Sequence, residues 1–249
     1  MNIAIIGFGK MGRTIKSIAP KFNHNVVATI DPISNEADFN EINEKTVSNA
    51  DICIEFTTPS VVLDNIQKLT KLKKNIIVGT TGWYDKIDEV KKMVEESGIK
   101  MIYAPNFAIG VNIFFFVTRY LARIMNNFPS YDASIVEFHH NQKKDIPSGT
   151  AIKMGEIIIN ELDRKKAINS NLTSKISENE LHIAGVRCGH IFGEHSVIFD
   201  SPYDTIILNH RAKSREIFAG GVFFAIEKMD KIEGMVSFYD LIKKEIIKE

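Results

Sequence analysis

Asn2-Ile3-Ala4-Ile5-Ile6-Gly7-Phe8-Gly9-Lys10-Met11-Gly12 is the stretch whose reading decides the fold. A short apolar run enters a glycine-rich turn, and the residues behind it place Ile15 and Ile18 on one helical face. The order is therefore strand, glycine turn, helix. Gly7 permits a tight turn, Gly9 lets a pyrophosphate lie against the backbone, and Gly12 lets the helix pack closely on the strand. The pattern alone is weak, because a structural glycine turn in a doubly wound sheet carries the same letters. A second apolar run, Asn25 to Ile30, strengthens it by ending in Asp31, 19 residues beyond Gly12, where an acid can bind a ribose hydroxyl. Pro32 follows Asp31, so no arginine stands beside it to meet a 2′-phosphate. That puts NADH at least level with NADPH, with Lys10, Arg13 and Lys16 available to help a phosphate.

Working outward, strand-like runs at Ile3–Ile6, Val26–Ile30, Ile52–Phe56, Asn75–Val78 and Lys100–Tyr103 alternate with helical ones. This is the pattern of an α/β, Rossmann-like parallel sheet covered on both faces. One helix is bounded by Asp85 as cap and Gly98 as stop, with Ile87, Val90 and Val94 as its stripe. The turns Glu55-Phe56-Thr57-Thr58-Pro59 and Val78-Gly79-Thr80-Thr81-Gly82 follow strand ends, where ligands of open parallel sheets bind, although ordinary turn chemistry gives the same letters.

After Ala104-Pro105-Asn106-Phe107 the pattern changes. A helix is expected over Ile113 to Met125, then strands at Ser134–His139, Leu181–Arg187, His195–Phe199 and Asp204–His210. These predict an α+β domain with a mostly antiparallel sheet. The polar stretch Lys165 to Asn179 reads as a surface loop. From Ser214 the chain turns helical again, with Phe218, Val222, Ala225 and Met229 in register. The expected division is a dinucleotide-binding domain at 1–106, a substrate and oligomerisation domain at 107–213, and a tail from about 214 to 249 that packs back on the first.

Lysine plus arginine and aspartate plus glutamate both total 31, and this zero net charge argues against a nucleic acid or membrane surface as partner. Cys53 and Cys188 lie in apolar or strand-like segments without metal-ligand spacing. They read as two buried thiols in a reducing cytosol, with no metal site. No signal peptide or membrane span is expected; the apolar cluster at Ile113 to Val117 is far too short to span.

The chemistry is expected in Glu137-Phe138-His139-His140-Asn141-Gln142-Lys143-Lys144-Asp145-Ile146-Pro147-Ser148-Gly149-Thr150-Ala151. Asp132 to His139 reads as a strand, Pro147 breaks the chain, and Ser148 caps a helix whose apolar residues are Ala151, Met154, Ile157, Ile158 and Leu162. The free N–H groups of Gly149, Thr150 and Ala151 should face outward and attract a carboxylate or phosphate, with Lys143 and Lys144 adding charge. A histidine beside a lysine supplies two groups that can pass a proton near neutral pH, provided burial or neighbouring charge lowers the lysine pKa. Histidine and lysine doublets in a loop before an ordinary capped helix would look the same.

On these residues the chain resembles the dihydrodipicolinate reductase (4-hydroxy-tetrahydrodipicolinate reductase) family from end to end. The family's E-x-H-H-x-x-K-x-D-x-P-S-G-T-A runs unbroken from Glu137 to Ala151, supported by G-x-G-x-M-G at Gly7 to Gly12, G-T-T-G at Gly79 to Gly82, and A-P-N-F…G-V-N from Ala104 to Asn112. The resemblance implies NAD(P)H-dependent reduction of a six-membered nitrogen heterocycle bearing two carboxylates, in lysine and diaminopimelate synthesis. It implies that His139 and Lys143 handle the proton, and that His140, Lys143, Ser148, Gly149 and Thr150 bind the substrate. It assigns the cofactor to Gly7, Phe8, Gly9, Lys10, Met11, Gly12, Asp31, Gly79, Thr80, Thr81, Ala104, Pro105, Asn106 and Phe107. A cytoplasmic homotetramer joined through the second-domain sheets is also implied. Two positions depart from the family: Ala108 stands where serine is usual, and Glu55 replaces an aspartate.

Rival readings are a dehydrogenase of the same plan acting on aspartate or a sugar, and a nucleotide sensor without catalysis. Neither needs the constellation at His139 to Thr150. His195, His210, Arg187 and Arg215 read as structural, the histidines at strand ends and the arginines paired with carboxylates.

Overall fold

The computed structural model describes residues Met1–Ile247. The chain forms two compact units, Met1–Ile109 together with the segment from Arg215, and Gly110–Ser214. The division falls three residues later than the boundary expected from sequence.

The first unit contains β1 (Asn2–Ile6), α1 (Lys10–Ile18), β2 (Asn25–Ile30), α2 (Glu44–Val47), β3 (Ile52–Glu55), α3 (Val62–Lys71), β4 (Asn75–Val78), α4 (Ile87–Ser97) and β5 (Met101–Tyr103). The chain then enters α5 (Ile109–Met125). The second unit continues with β6 (Asp132–His139), α6 (Gly149–Glu161), β7 (Ala167–Asn169), β8 (Glu180–Arg187), β9 (Glu194–Asp200) and β10 (Thr205–Arg211). The tail returns to the first unit as α7 (Glu216–Lys228), β11 (Met235–Ser237) and α8 (Phe238–Ile246).

The first sheet is parallel throughout, in the order β11-β5-β4-β3-β1-β2. Its strands carry apolar residues on both faces because helices cover both. Ile3, Ile5, Ile54, Ile77 and Ile102 pack against α7 residues such as Val222 and Phe223. Ala4, Cys53, Ile76 and Val78 pack on the other face against Ile66, Leu69, Val90 and Val94. Each fully buried aliphatic side chain contributes about 1.5–3 kcal/mol of transfer free energy. The tail thus supplies half of one core layer, and it adds β11 as an edge strand that its short, weakly apolar sequence did not announce.

The second sheet has the order β10-β9-β6-β8-β7. It is mixed: β10 with β9 and β9 with β6 are antiparallel, but β6 with β8 and β8 with β7 are parallel. The mostly antiparallel sheet expected from sequence is corrected on this point. The crossover through α6 returns the chain in the same direction, which period-two patterning cannot reveal. α6 and α5 cover one face, packing Met154, Ile158 and Phe114 on Ile135, Ile183 and Val197.

Other local expectations also change. Asp85 lies in a short 3-10 turn, Tyr84–Lys86, and its side chain caps nothing; α4 starts at Ile87 with Asp88 and Glu89 in its first turn. Gly98 does end α4, at φ +70°. Helix α5 begins four residues earlier than expected, at Ile109. The loop expected over Lys165 to Asn179 contains β7, and Lys165 itself is buried, its Nζ bonded to the carbonyls of Glu178 and Glu180 and paired with Asp132 at 2.6 Å. Cys53 is buried, but Cys188 is exposed just beyond the end of β8.

Candidate active site

The glycine turn between β1 and α1 is built as its residue types require. Gly7 has φ +90°, and a Cβ there would lie 2.1 Å from the Phe56 carbonyl oxygen. A Cβ on Gly12 would lie 2.2 Å from the Gly7 carbonyl. Gly9 has open space around it and is the N-cap of α1 with no side chain capping it. The first N–H groups of α1 are thus presented beside a bare backbone, the arrangement that receives a phosphate.

Two clefts adjoin this helix end. One of about 310 Å³ is lined by Gly9, Lys10, Met11, Thr57, Gly79, Thr80 and Thr81. The other, of about 420 Å³, is lined by Lys10, Met11, Ala104, Pro105, Asn106 and Phe107, and also by Arg215 and Phe218 of the tail. Residues assigned to a cofactor from three separate sequence segments therefore converge on these clefts, whereas Asp31 lines neither. The bare helix end and the space over Gly9 fit a dinucleotide.

Asp31 holds the turn together. One of its oxygens accepts from the Phe8 N–H at 2.7 Å and the other from Ile33 and Ser34. Burial works to raise its pKa, but the N–H groups of Ile33, Phe8 and Ser34 outweigh it and hold the carboxyl below its ordinary value. Arg13 is committed to Glu36, at 2.9 Å, and both it and Lys16 approach the Phe8 ring. This acid partner was not picked out in the sequence, since an exposed Glu36 in a loop carries no pattern.

Glu55 and Ala108 show what the two departures do locally. Glu55 is fully buried, accepts from Thr57 and Asn65, and has its pKa raised by burial. Ala108 is also fully buried, and its N–H is taken by the Asn106 side chain at 2.8 Å.

In the second unit, β6 carries Glu137 and His139 on its buried face, and α6 is capped by Ser148, whose Oγ accepts from the Ala151 N–H. The expectation of three outward N–H groups is corrected here, because the cap has consumed that of Ala151. Gly149 remains exposed with nothing near its missing side chain.

Lys143 follows a turn closed by its N–H on the His140 carbonyl, and its Nζ lies 2.8 and 3.0 Å from the two oxygens of Asp145. Lys143 first, and the Gly149 N–H among lesser contributors, hold the Asp145 carboxyl below its ordinary pKa against the opposing effect of burial. The chain's own carboxylate thus occupies the place where lysine and helix end converge.

His139 is held by a different acid. Its Nδ1 lies 2.5 Å from Glu137 Oε2, and its ring meets His195 edge-on at 5.1 Å. His195 Nε2 is 3.1 Å from Ser148 Oγ. Burial, then the charge of His139, pushes the His195 pKa down to about 3, so this imidazole is neutral. Arg187 Nη2 reaches Glu137 Oε1 at 2.8 Å. His195 and Arg187 were assigned structural places from sequence; the ladder sets His195 opposite Glu137, and Arg187 opposite His139. Only strand register could have revealed that.

A glycine-turned helix end beside a cleft, carried in one chain with histidine and lysine each held by an acid, is the equipment of a dinucleotide-dependent oxidoreductase. The family model described as "Dihydrodipicolinate reductase, N-terminus" matches residues 1–107, and "Dihydrodipicolinate reductase, C-terminus" matches 110–242. The chain belongs to the dihydrodipicolinate reductase family.

Two curated relatives agree. A 4-hydroxy-tetrahydrodipicolinate reductase of Christiangramia forsetii is 33% identical over 97% of this chain and 98% of its own length. One of Archaeoglobus fulgidus is 34% identical over 94% and 95%. Among solved structures, a dipicolinate-bound dihydrodipicolinate reductase from Paenisporosarcina sp. TG-14 superposes with TM-score 0.77, 25% identity and coverage of 95% and 97%. An aspartate dehydrogenase from Thermotoga maritima, at TM-score 0.51 and 12% identity over 92% and 97%, shares the fold alone. Among the described residues no helix is long and apolar enough to cross a membrane.

Proposed function

We propose that this chain reduces 4-hydroxy-tetrahydrodipicolinate, by way of dihydrodipicolinate, to tetrahydrodipicolinate, using NADH or NADPH, in the cytoplasm. The observation that carries this reading is the Asp145 carboxylate gripped by Lys143 at the start of α6. A site that binds its own carboxylate in this way suits a substrate with two. In this reading His140, Ser148, Gly149 and Thr150 complete the substrate site.

The nicotinamide, when bound, supplies a hydride to C4 of the ring. The residues of the first unit that would hold it are Gly7 to Gly12, Asp31, Gly79 to Thr81 and Ala104 to Phe107. Lys143 orients a substrate carboxylate, and with His139 it delivers the proton that quenches the charge developing after reduction. The acids at Asp31 and Glu36, the second already engaging Arg13, favour the uncharged ribose of NADH over a 2′-phosphate.

A homotetramer accords with the second sheet. Its uncovered face carries Val136, Phe138, Ala184 and Ile198 half-buried, with Ile207 57% exposed, an apolar surface that a second copy can cover. Light scattering on the purified chain gives its mass directly.

The activity test follows NADH and NADPH oxidation with substrate made in situ from pyruvate and aspartate semialdehyde by a coupling synthase. Oxidation that requires the synthase is expected, and Lys143→Ala should bind nucleotide normally while losing about 10²-fold or more in turnover. No oxidation by folded, nucleotide-binding wild-type protein, or normal turnover by the variant, overturns the reading.

A further inference from the structure

Glu137 is fully buried, yet it faces four polar groups. Its Oε1 accepts from the Ser148 N–H at 3.0 Å and from Arg187 Nη2 at 2.8 Å. Its Oε2 lies 2.5 Å from His139 Nδ1 and 3.9 Å from His195 Nε2. Room for the carboxylate comes from Gly185 on the neighbouring strand, where an added Cβ would stand 3.0 Å from Oε1. One oxygen is thus anchored to the backbone and a guanidinium, and the other stands beside the histidine that the proposed reaction uses, at hydrogen-bond distance but without the alignment of a hydrogen bond.

The same Arg187 nitrogen also donates to the Asp145 carbonyl at 2.6 Å. Arg187 therefore joins the residue that holds His139 to the residue that holds Lys143. At the far side of the imidazole, His139 Nε2 faces Gly193, where a Cβ would lie 3.0 Å away. The absence of a side chain there leaves Nε2 as the nitrogen free to work.

We infer that Glu137, braced by Arg187, is a positioning residue for this reaction: it fixes His139 with Nδ1–H toward the carboxylate, so that Nε2 exchanges the proton. The inference rests on the proposed reductase reading. The proton that leaves is the one on Nε2; the Nδ1 proton stays in the contact with Glu137, and the carboxylate takes up none. Burial works to raise the Glu137 pKa, but the His139 contact first, then the hydrogen bonds from Arg187 and Ser148, outweigh it and bring the pKa down to about 2, so a full negative charge faces the ring. His195 is neutral and adds no competing charge; Lys143, Arg187 and the more distant His210 are the other titratable groups around the cluster.

A metal ion is a poorer occupant for Glu137, His139 and His195, although their ligand atoms lie within 4.8 Å of one another. Ligand atoms about 2.0–2.2 Å from one tetrahedral ion stand more than ~3 Å apart. The 2.5 Å gap between Oε2 and Nδ1 is too short for both atoms to be ligands of one ion.

The test compares Glu137→Gln with Glu137→Asp and wild type. Glu137→Gln should lower kcat about 10²-fold with KM for nucleotide unchanged, and should move the alkaline limb of the kcat–pH profile to lower pH, since an imidazolium beside an amide is less favoured. Glu137→Asp, which keeps the charge, should restore part of kcat and the profile. Side-chain ¹⁵N resonances of His139 should show a protonated, strongly hydrogen-bonded Nδ1 in wild type, and that signature should disappear in Glu137→Gln. An unchanged profile and unchanged Nδ1 resonance in Glu137→Gln overturns the inference, whatever happens to kcat. If Glu137→Gln does not fold, a wild-type His139 carrying its proton on Nε2 alone overturns it equally. Wild-type protein inactive on the heterocycle would refute the reductase reading, while the resonance still decides the Glu137–His139 pairing.

Discussion

The Lys143 ammonium lies 2.8 Å from Asp145 Oδ1 and 3.0 Å from Oδ2, a lysine and an acid two residues apart sharing the edge of the proposed substrate site. Asp145 is well exposed, its side chain 58% accessible, so the pair is worth at most about 1 kcal/mol and can open without unfolding anything. It is a contact that a substrate carboxylate can replace.

Asp145→Asn should therefore leave stability within about 1 kcal/mol of wild type and lower KM for the heterocycle a few-fold, because the internal competitor is gone. Steady-state kinetics with synthase-generated substrate checks this. A raised KM with a lowered kcat would mean that Asp145 aims Lys143 and does not compete with substrate.

Glu55 gives a pH prediction. Burial raises its folded-state pKa above the ordinary 4.5, so the fold prefers the neutral acid. Stability from this site is present at low pH and is lost as pH climbs from about 4.5 through the raised value. Glu55→Gln removes that loss, and its thermal midpoint should exceed wild type by more at pH 8 than at pH 5. Equal differences at both pH values would refute it.

His195 acts with the opposite sign. Its folded pKa of about 3 lies below the ordinary 6.5, so its contribution is complete above 6.5 and falls away as pH drops toward 3. An isolated site of this kind costs roughly 2 kcal/mol between pH 6.5 and pH 5. Denaturant titrations of His195→Asn, which can keep a hydrogen bond to Ser148, should show a flatter stability profile over that range.

Lys165 is the most demanding buried cation of the second unit. Only 1% of its surface is exposed, and its Nζ serves two carbonyls and Asp132. Lys165→Met keeps the bulk but leaves the carbonyls of Glu178 and Glu180 without that donor, which should cost about 2–4 kcal/mol. A denaturant midpoint near wild type would show that water replaces the ammonium.

The first unit was legible in the sequence because its information is local. Gly7, Gly9 and Gly12 state the turn outright, and the apolar runs of a sheet buried on both faces stand out against polar loops. The segment from Glu137 to Ala151 was equally legible as a strand, a break and a capped helix. What sequence reading misplaced is what depends on partners distant in the chain: β11 at the sheet edge, the parallel pairing of β6 with β8, Lys165 inside a stretch that looked like loop, and the exposure of Cys188.

By itself, then, the sequence determined the doubly wound sheet, the glycine turn and the stretch that carries His139 and Lys143, since backbone sterics, side-chain periodicity and capping act over a few neighbouring residues. The tertiary structure alone decided that Glu137 grips His139, that Arg187, 50 residues later, braces Glu137, and that His195 is buried and neutral beside them. Strand register sets which side chains meet, and burial sets how strongly their charges are felt; both depend on how distant segments pair, which no local pattern encodes.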